Sequence, residues 1–481
     1  MPKQNLFNPP SQSINGGRTG KQSSRSTISR SSCLARKRRQ AARLTLLCLL
    51  LLSIGPSALR AEWKAGVAKV DITPREPIWM AGYAARTKPS EGVLQRLYAK
   101  AVALEDETGK RSILVTADLL GFTRDMWQPI SEAVETRYGI SRDRLVLNAS
   151  HTHSGPVTGQ MGRPTYELND GQAGVVHRYT KRVVEQVIEL AGRAIERLEP
   201  ASLSFGQGFA GFAVNRRRVG HREYPGPVDH DVPVLRIQGP DGNLLAVLFG
   251  YSCHATVLND YEINADWPGF AQEAIETAHP GAVAMFVNGC GADQNPLPRR
   301  RVELARKYGD ILAIAVELVL DAEMKPLSGP LRTALDTVDV RFQQPPSRQE
   351  FQKIAETNKS YEGRHAEQML ETLEQKGKLP ASYPYLAQVW RFGDALTFIS
   401  LSGEVVADYS LQFRRKYGWE NTWVSGYNND VFAYIPTARI VREGGYEGAT
   451  SMINYGHPAP FEESVEEAIA NKVEELIKQT Q

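Results

Sequence analysis

Short apolar runs alternating with polar positions recur along the chain, broken by a few longer stretches of helical spacing. Residues 65–74 (AGVAKVDITP) read as a strand stopped by its proline, and residues 98–104 and 112–117 as a hairpin about the turn signal at 106–110. Helical spacing covers 124–138. Residues 144–149 (RLVLNA) form a strand that delivers Ser150-His151-Thr152-His153-Ser154-Gly155-Pro156 into a loop. A strongly amphipathic helix is predicted over 179–198, with Val183, Val187 and Ile188 on its apolar face, followed by a strand at 201–209. Residues 232–238 and 244–251 pair as a second hairpin, whose exit runs straight into Ser252-Cys253-His254.

Helices are predicted over 270–279 and 303–320, with a buried strand at 283–287 between them. Residues 344–380 are charged, helix-prone and edged by prolines, as an inserted surface helical pair would be. Strands at 387–392 and 396–401 lead through Ser402-Gly403-Glu404 into a helix at 405–417, and the chain closes on an amphipathic helix at 460–481. This order predicts one large α/β catalytic domain over residues 62–481, with layered mixed or mainly antiparallel sheets flanked by helices.

Charge changes the picture at the N-terminus. The 57 Lys and Arg against 54 Asp and Glu give a formal +3, yet residues 1–61 hold eleven of the basic side chains and no acid. The remainder is acidic, which excludes a basic nucleic-acid-binding surface. Arg36-Lys37-Arg38-Arg39, an apolar run over 44–54 and small residues up to Ala61 follow the order of an export signal cut after Ala61. The apolar run is shorter than the ~20 residues that span a bilayer, so a membrane anchor is the weaker alternative. The expectation is an exported chain, periplasmic or secreted. Outside the leader only Cys253 and Cys290 remain, which is not a disulfide scaffold. A bridge, a thiolate ligand beside His254 and a buried inert thiol are all open, the last being commonest.

The candidate chemistry sits at strand ends. A zinc hydrolase needs N and O ligands converging from separate elements, a position open to water, and polar groups for an oxyanion. His151 and His153 lie two apart, so both could face one site, or one could hold metal and the other substrate. Structural, hydrogen-bonded histidines read H-x-H equally well. His254 behind an apolar strand, and Asp266 in Asn264-Ala265-Asp266-Trp267-Pro268-Gly269, are ambiguous alone, because the aspartate also suits a turn or a helix cap.

Together these segments resemble the neutral/alkaline ceramidases, secreted or membrane-associated zinc amidases that cleave the N-acyl bond of ceramide. The resemblance spans roughly residues 65–453. It rests on AGVAKVDITP, on NASHTHSGP at 148–156, on the His254 strand with its ADWPG continuation, on SGE at 402–404, and on YIPT at 434–437 followed by YEGA at 446–449. It implies His151, His254, Glu404 and Tyr434 as zinc ligands, with His153 and Tyr446 contacting the substrate carbonyl oxygen and Arg216 as a polar anchor. The implied reaction is attack of zinc-bound hydroxide on an amide carbonyl, with Asp266 or Glu404 shuttling the proton.

Two departures qualify the resemblance. Asn295 stands where the family carries a serine regarded as catalytic, and could instead donate a hydrogen bond to an oxyanion or to the substrate. The family's C-terminal sandwich domain is also not expected in this chain. The expected substrate is therefore a small-molecule or lipid N-acyl compound, with peripheral membrane contact left open and no protein partner indicated. An esterase for a smaller, polar acyl substrate and a non-catalytic surface protein that retains the fold are the alternatives.

Overall fold

A computed structural model describes residues 63–481 apart from 163, 221 and 222. The expected leader, residues 1–61, lies outside the described residues. A nine-stranded sheet runs in the order Val283–Asn288, Leu244–Tyr251, Asp231–Gln238, Glu199–Phe209, Trp63–Asp71, Tyr98–Glu105, Arg111–Ala117, Leu145–Ala149, with Lys325–Leu327 as an additional partner of Glu199–Phe209. Leu145–Ala149 and Val283–Asn288 pair in parallel with their neighbours, and the other pairings are antiparallel. A second sheet orders Leu331–Arg341, Ser382–Phe392, Leu396–Leu401 and Thr422–Ser425. The class is the expected one, mixed sheets flanked by helices.

The period-two pattern explains the layering. Val102 and Leu104 join Trp390, Phe398 and Trp423 in a core between the two sheets, while Ala101 and Ala103 face helices Arg124–Tyr138 and Asp170–Glu196 in another. Helices Asp266–Ala278 and Val302–Asp321 cover the other half of the large sheet. Helices Ala407–Tyr417 and Val465–Gln479 cover the outer face of the small one. The four layers are thus helices, sheet, sheet, helices. The inserted pair Arg348–Thr357 and Tyr361–Lys376 forms as expected and packs a small cluster of its own around Phe351, Ala366 and Met369. Among the described residues no helix is long and apolar enough to cross a membrane.

Several boundaries differ from expectation for local reasons. The helix expected at 179 starts at Asp170, because Asn169 and Gln172 form a reciprocal capping box whose polar first turns hide the helical period. The helix expected at 270 begins at Asp266. Residues 404–405 are not helical: Glu404–Val405 is a short strand parallel to Tyr434–Ile435, and the helix starts at Ala407. The final helix starts at Val465 rather than 460. Leu331–Arg341 escapes the apolar pattern because only Leu331, Ala334 and Val340 of its eleven residues are buried.

Leu145–Ala149, at one edge of the large sheet, meets the exit of Val283–Asn288 from the opposite edge and the loop after Thr422–Ser425. There Asn148, fully buried, donates from Nδ2 to Gly426 O and Asn428 Oδ1, both at 2.9 Å, and accepts from Asn288 N at 2.8 Å. A polar bond set of this kind fixes the loops that leave the strand ends.

Candidate active site

His151 follows strand Leu145–Ala149 by two residues and takes a left-handed backbone (φ 59°). Only a surrounding structure that over-determines the backbone keeps a non-glycine residue there, and such residues concentrate at functional sites. Its neighbour Thr152 bridges to Ala255, and His153 N donates to Ala255 O at 3.1 Å, which sets the His151 loop in register with the loop carrying His254. The Glu404–Tyr434 pairing brings the third loop to the same point.

The result is a buried cluster. His151 Nε2 lies 3.1 Å and His254 Nε2 3.2 Å from Glu404 Oε2. The Tyr434 hydroxyl is 3.2 Å from His254 Nε2, and His153 Nε2 is 3.2 Å from His151 Nε2. His153, assigned by the resemblance to the substrate carbonyl, lies beside the other two histidines, and one ring nitrogen from each of the three is within 4.8 Å of the others. His151 Nδ1–H donates to Leu120 O at 2.6 Å and His254 Nδ1–H to Gly291 O at 2.8 Å. Those bonds leave both Nε2 atoms as lone pairs aimed at the centre.

Charge follows from this packing. Burial, with Arg216 adding to it, pushes His254 down to about 4, and burial together with His151 and His254 pushes His153 well below its usual value. Unprotonated nitrogens facing a carboxylate repel one another unless a cation sits among them. A tetrahedral zinc with bonds of ~2.0–2.1 Å needs donor separations of about 3.3 Å, close to those found here. The His151, His153 and His254 group could thus bind a metal, and the donor set fits one that prefers N and O.

Supporting residues hold these donors. Tyr455 Oη–H donates to Glu404 Oε1 in a short bond, and the Tyr427 ring lies 4.5 Å from that of His151. Arg216 stands behind Tyr434, donating from Nη2 to its hydroxyl (3.1 Å) and from Nε to Glu447 Oε1 (2.6 Å). The cavity in front of the cluster holds about 90 Å³ and is walled by Met161, Tyr166, Tyr446 and Tyr455 as well as by His151, His153, Glu404 and Tyr434. A wider surface groove of about 900 Å³, between residues 106–111 and 330–333, contains none of these groups. Tyr446 stands at the mouth, 44% exposed, its ring edge-on to Tyr434 at 5.2 Å and its hydroxyl accepting from Asn454 Nδ2 at 3.0 Å.

Two expectations are not met at the cavity. Asn295 does not line it: its strand Gln294–Pro296 pairs with Ala213–Asn215 and its Oδ1 accepts from Thr256 Oγ1 at 3.4 Å. Asp266 faces backbone, accepting from Leu258 N (2.8 Å) and Trp267 N (2.7 Å), so of the two expected proton carriers only Glu404 stands at the site. Cys253 and Cys290 are free and buried, and burial pushes both thiols well above their usual value. They neither pair nor join the cluster. Sequence reasoning missed Tyr455, Asn454, Tyr166 and Tyr427. No period or spacing marks them, and the last recognised motif ends at Ala449.

Fold and site together define a layered α/β protein with a buried histidine and carboxylate centre able to take a metal. Residues 63–293 match the sequence model of the neutral/alkaline non-lysosomal ceramidase N-terminal domain, and through them the chain is related to that family. Neutral ceramidase of Pseudomonas aeruginosa is 26% identical over 270 residues, and that of Drosophila melanogaster 24% over 249. Those matches cover 53% and 49% of this chain but only 40% and 35% of the two relatives. The crystal structure of the Pseudomonas aeruginosa neutral ceramidase superposes with a TM-score of 0.68 at 20% identity, covering 86% of this chain and 73% of that one.

Proposed function

We propose that this chain is an exported zinc-dependent hydrolase of N-acyl bonds. The observation that carries the reading is the convergence of His151, His153, His254, Glu404 and Tyr434 on one buried point, with the Nδ1 protons of His151 and His254 spent on backbone carbonyls. His151, His254, Glu404 and Tyr434 would hold the ion, with His153 close enough to share in doing so. A bound zinc supplies Lewis acidity, polarising a carbonyl and acidifying nearby water.

The chain's own groups do the rest. Tyr446, at the mouth, donates a hydrogen bond from its phenol to the carbonyl oxygen, a donor at neutral pH. Glu404 would take a proton from the attacking water as the water oxygen bonds to the carbonyl carbon and pass it to the leaving amine nitrogen as the C–N bond breaks, with Tyr455 steadying its second oxygen. Neither step needs a hydroxyl at Asn295. The family relationship supports an amide substrate, and the cavity of about 90 Å³ favours a compact acyl group, which keeps a short-chain esterase as the second reading. The test is hydrolysis of N-acyl sphingosines, N-acyl amino acids and simple esters by wild type and Tyr446→Phe. Turnover of an amide that Tyr446→Phe loses supports the proposal, and no turnover of any substrate by metal-loaded wild type overturns it.

A further inference from the structure

The inserted helical pair reaches the site, although it packs a core of its own. Helix Tyr361–Lys376 sends Arg364 onto the segment that forms one wall of the cavity: its Nε donates to Pro164 O and its Nη2 to Thr165 O, both at 3.0 Å. These two carbonyls sit in the turn where Thr165 N and Tyr166 N both donate to Gly162 O, at 2.8 and 3.2 Å. Gly162, Thr165 and Tyr166 all line the cavity.

The same turn is tied in from the other side. The Tyr166 hydroxyl accepts from Gly82 N at 2.7 Å, and Thr165 Oγ1 donates to Asn454 Oδ1 at 3.2 Å, whose Nδ2 in turn holds the Tyr446 hydroxyl. The residue after Arg364 ties the helix to the chain two residues past the cavity-lining Tyr455, His365 Nε2–H donating to His457 O at 2.7 Å. A guanidinium fork on two adjacent carbonyls is a rigid clamp that few other side chains reproduce. Without it, the turn at 162–166 rests on single hydrogen bonds.

We propose that Arg364 is a positioning residue for substrate selection: by clamping the 162–166 turn it keeps the acyl cavity short, so that compact acyl groups are taken in preference to long chains. This rests on the proposed hydrolysis. Arg364 need not touch substrate, since the clamp acts through Thr165 and Tyr166.

The experiment compares wild type, Arg364→Ala and Arg364→Lys as metal-loaded full chains. It measures kcat/KM for acetyl and dodecanoyl amides of one amine, together with amide exchange at Thr165 and Tyr166. Arg364→Ala should raise the dodecanoyl-to-acetyl ratio by about tenfold, roughly what burying two further methylenes supplies, and should speed exchange at both amides. Arg364→Lys, a single donor, should fall between. An unchanged ratio overturns the proposal, whether or not exchange rises, since faster exchange alone would mark a purely structural clamp. If wild type hydrolyses neither amide, the functional reading has failed, and the selection role falls with it.

Discussion

Gly82→Ala tests whether the cavity wall fixes His153. Gly82 has φ +95°, and a Cβ there would stand 2.5 Å from both His153 Cγ and His153 Nδ1. Carbon contacts are comfortable near ~3.5 Å, so the ring must retreat by about 1 Å. Such a shift moves Nε2 away from its position 3.2 Å from His151 Nε2. Displacements of this size at a reacting centre cost roughly 10²-fold in rate. The backbone adds about 1–2 kcal/mol for an L-residue at positive φ. Gly109 separates the two effects, because its φ is +80° and nothing lies within 4 Å of its Cβ position. Gly109→Ala should lower unfolding free energy in denaturant by about 1–2 kcal/mol and leave kcat alone. Gly82→Ala should lose at least that much stability, and its kcat for an acyl amide should drop about a hundredfold. Equal kcat for both variants would refute the reasoning, since His153 would then be free to re-seat without consequence.

Three further outcomes follow from the same structure. Tyr455→Phe removes the donor to Glu404 Oε1 and should weaken metal binding about 10–100-fold in a chelator competition; unchanged affinity would mean that Glu404 needs no such support. Asn148→Ala strips the buried bonds to Ser425, Gly426, Asn428 and Asn288 and should cost about 3 kcal/mol in denaturant titration, against less than about 1 if water replaces them. His457 is held neutral, at about 4, chiefly by burial, with its Nε2–H on Phe432 O. The unfolded chain takes up that proton below its ordinary value of 6.5 while the fold does not, so His457 removes stability as pH falls from 6.5 toward 4, by about 3 kcal/mol at most. His457→Gln, whose amide can still donate, should flatten the pH dependence in that window relative to wild type, and parallel curves would contradict the assignment.

Much of this was legible in the sequence where local chemistry is strong. The apolar alternation of residues 98–117 and 232–251 marks hairpins, and proline edges and charge mark the inserted helices. The site was legible mainly through motifs: His151, His254, Glu404 and Tyr434 do meet, but no spacing within the chain places residue 404 against 434. That contact depends on Glu404–Val405 forming a parallel strand with Tyr434–Ile435, a long-range pairing with no local signature, and the same stretch reads as the start of a helix. Tyr455 and Arg364 were invisible for the same reason, since each acts across the fold on another element. His151 adopts a left-handed turn rather than an extended strand, yet both rings face one site, one of the two arrangements that the two-residue offset leaves open.

The central claim is that the histidine and carboxylate cluster holds a metal, and metal content tests it most directly. The full chain, purified without chelator and analysed by plasma mass spectrometry, should carry about one zinc per chain, falling to near zero in His151→Ala and His254→Ala while both remain folded by circular dichroism. A folded wild type that takes up no zinc after dialysis against the ion, or variants that keep it, would contradict the account.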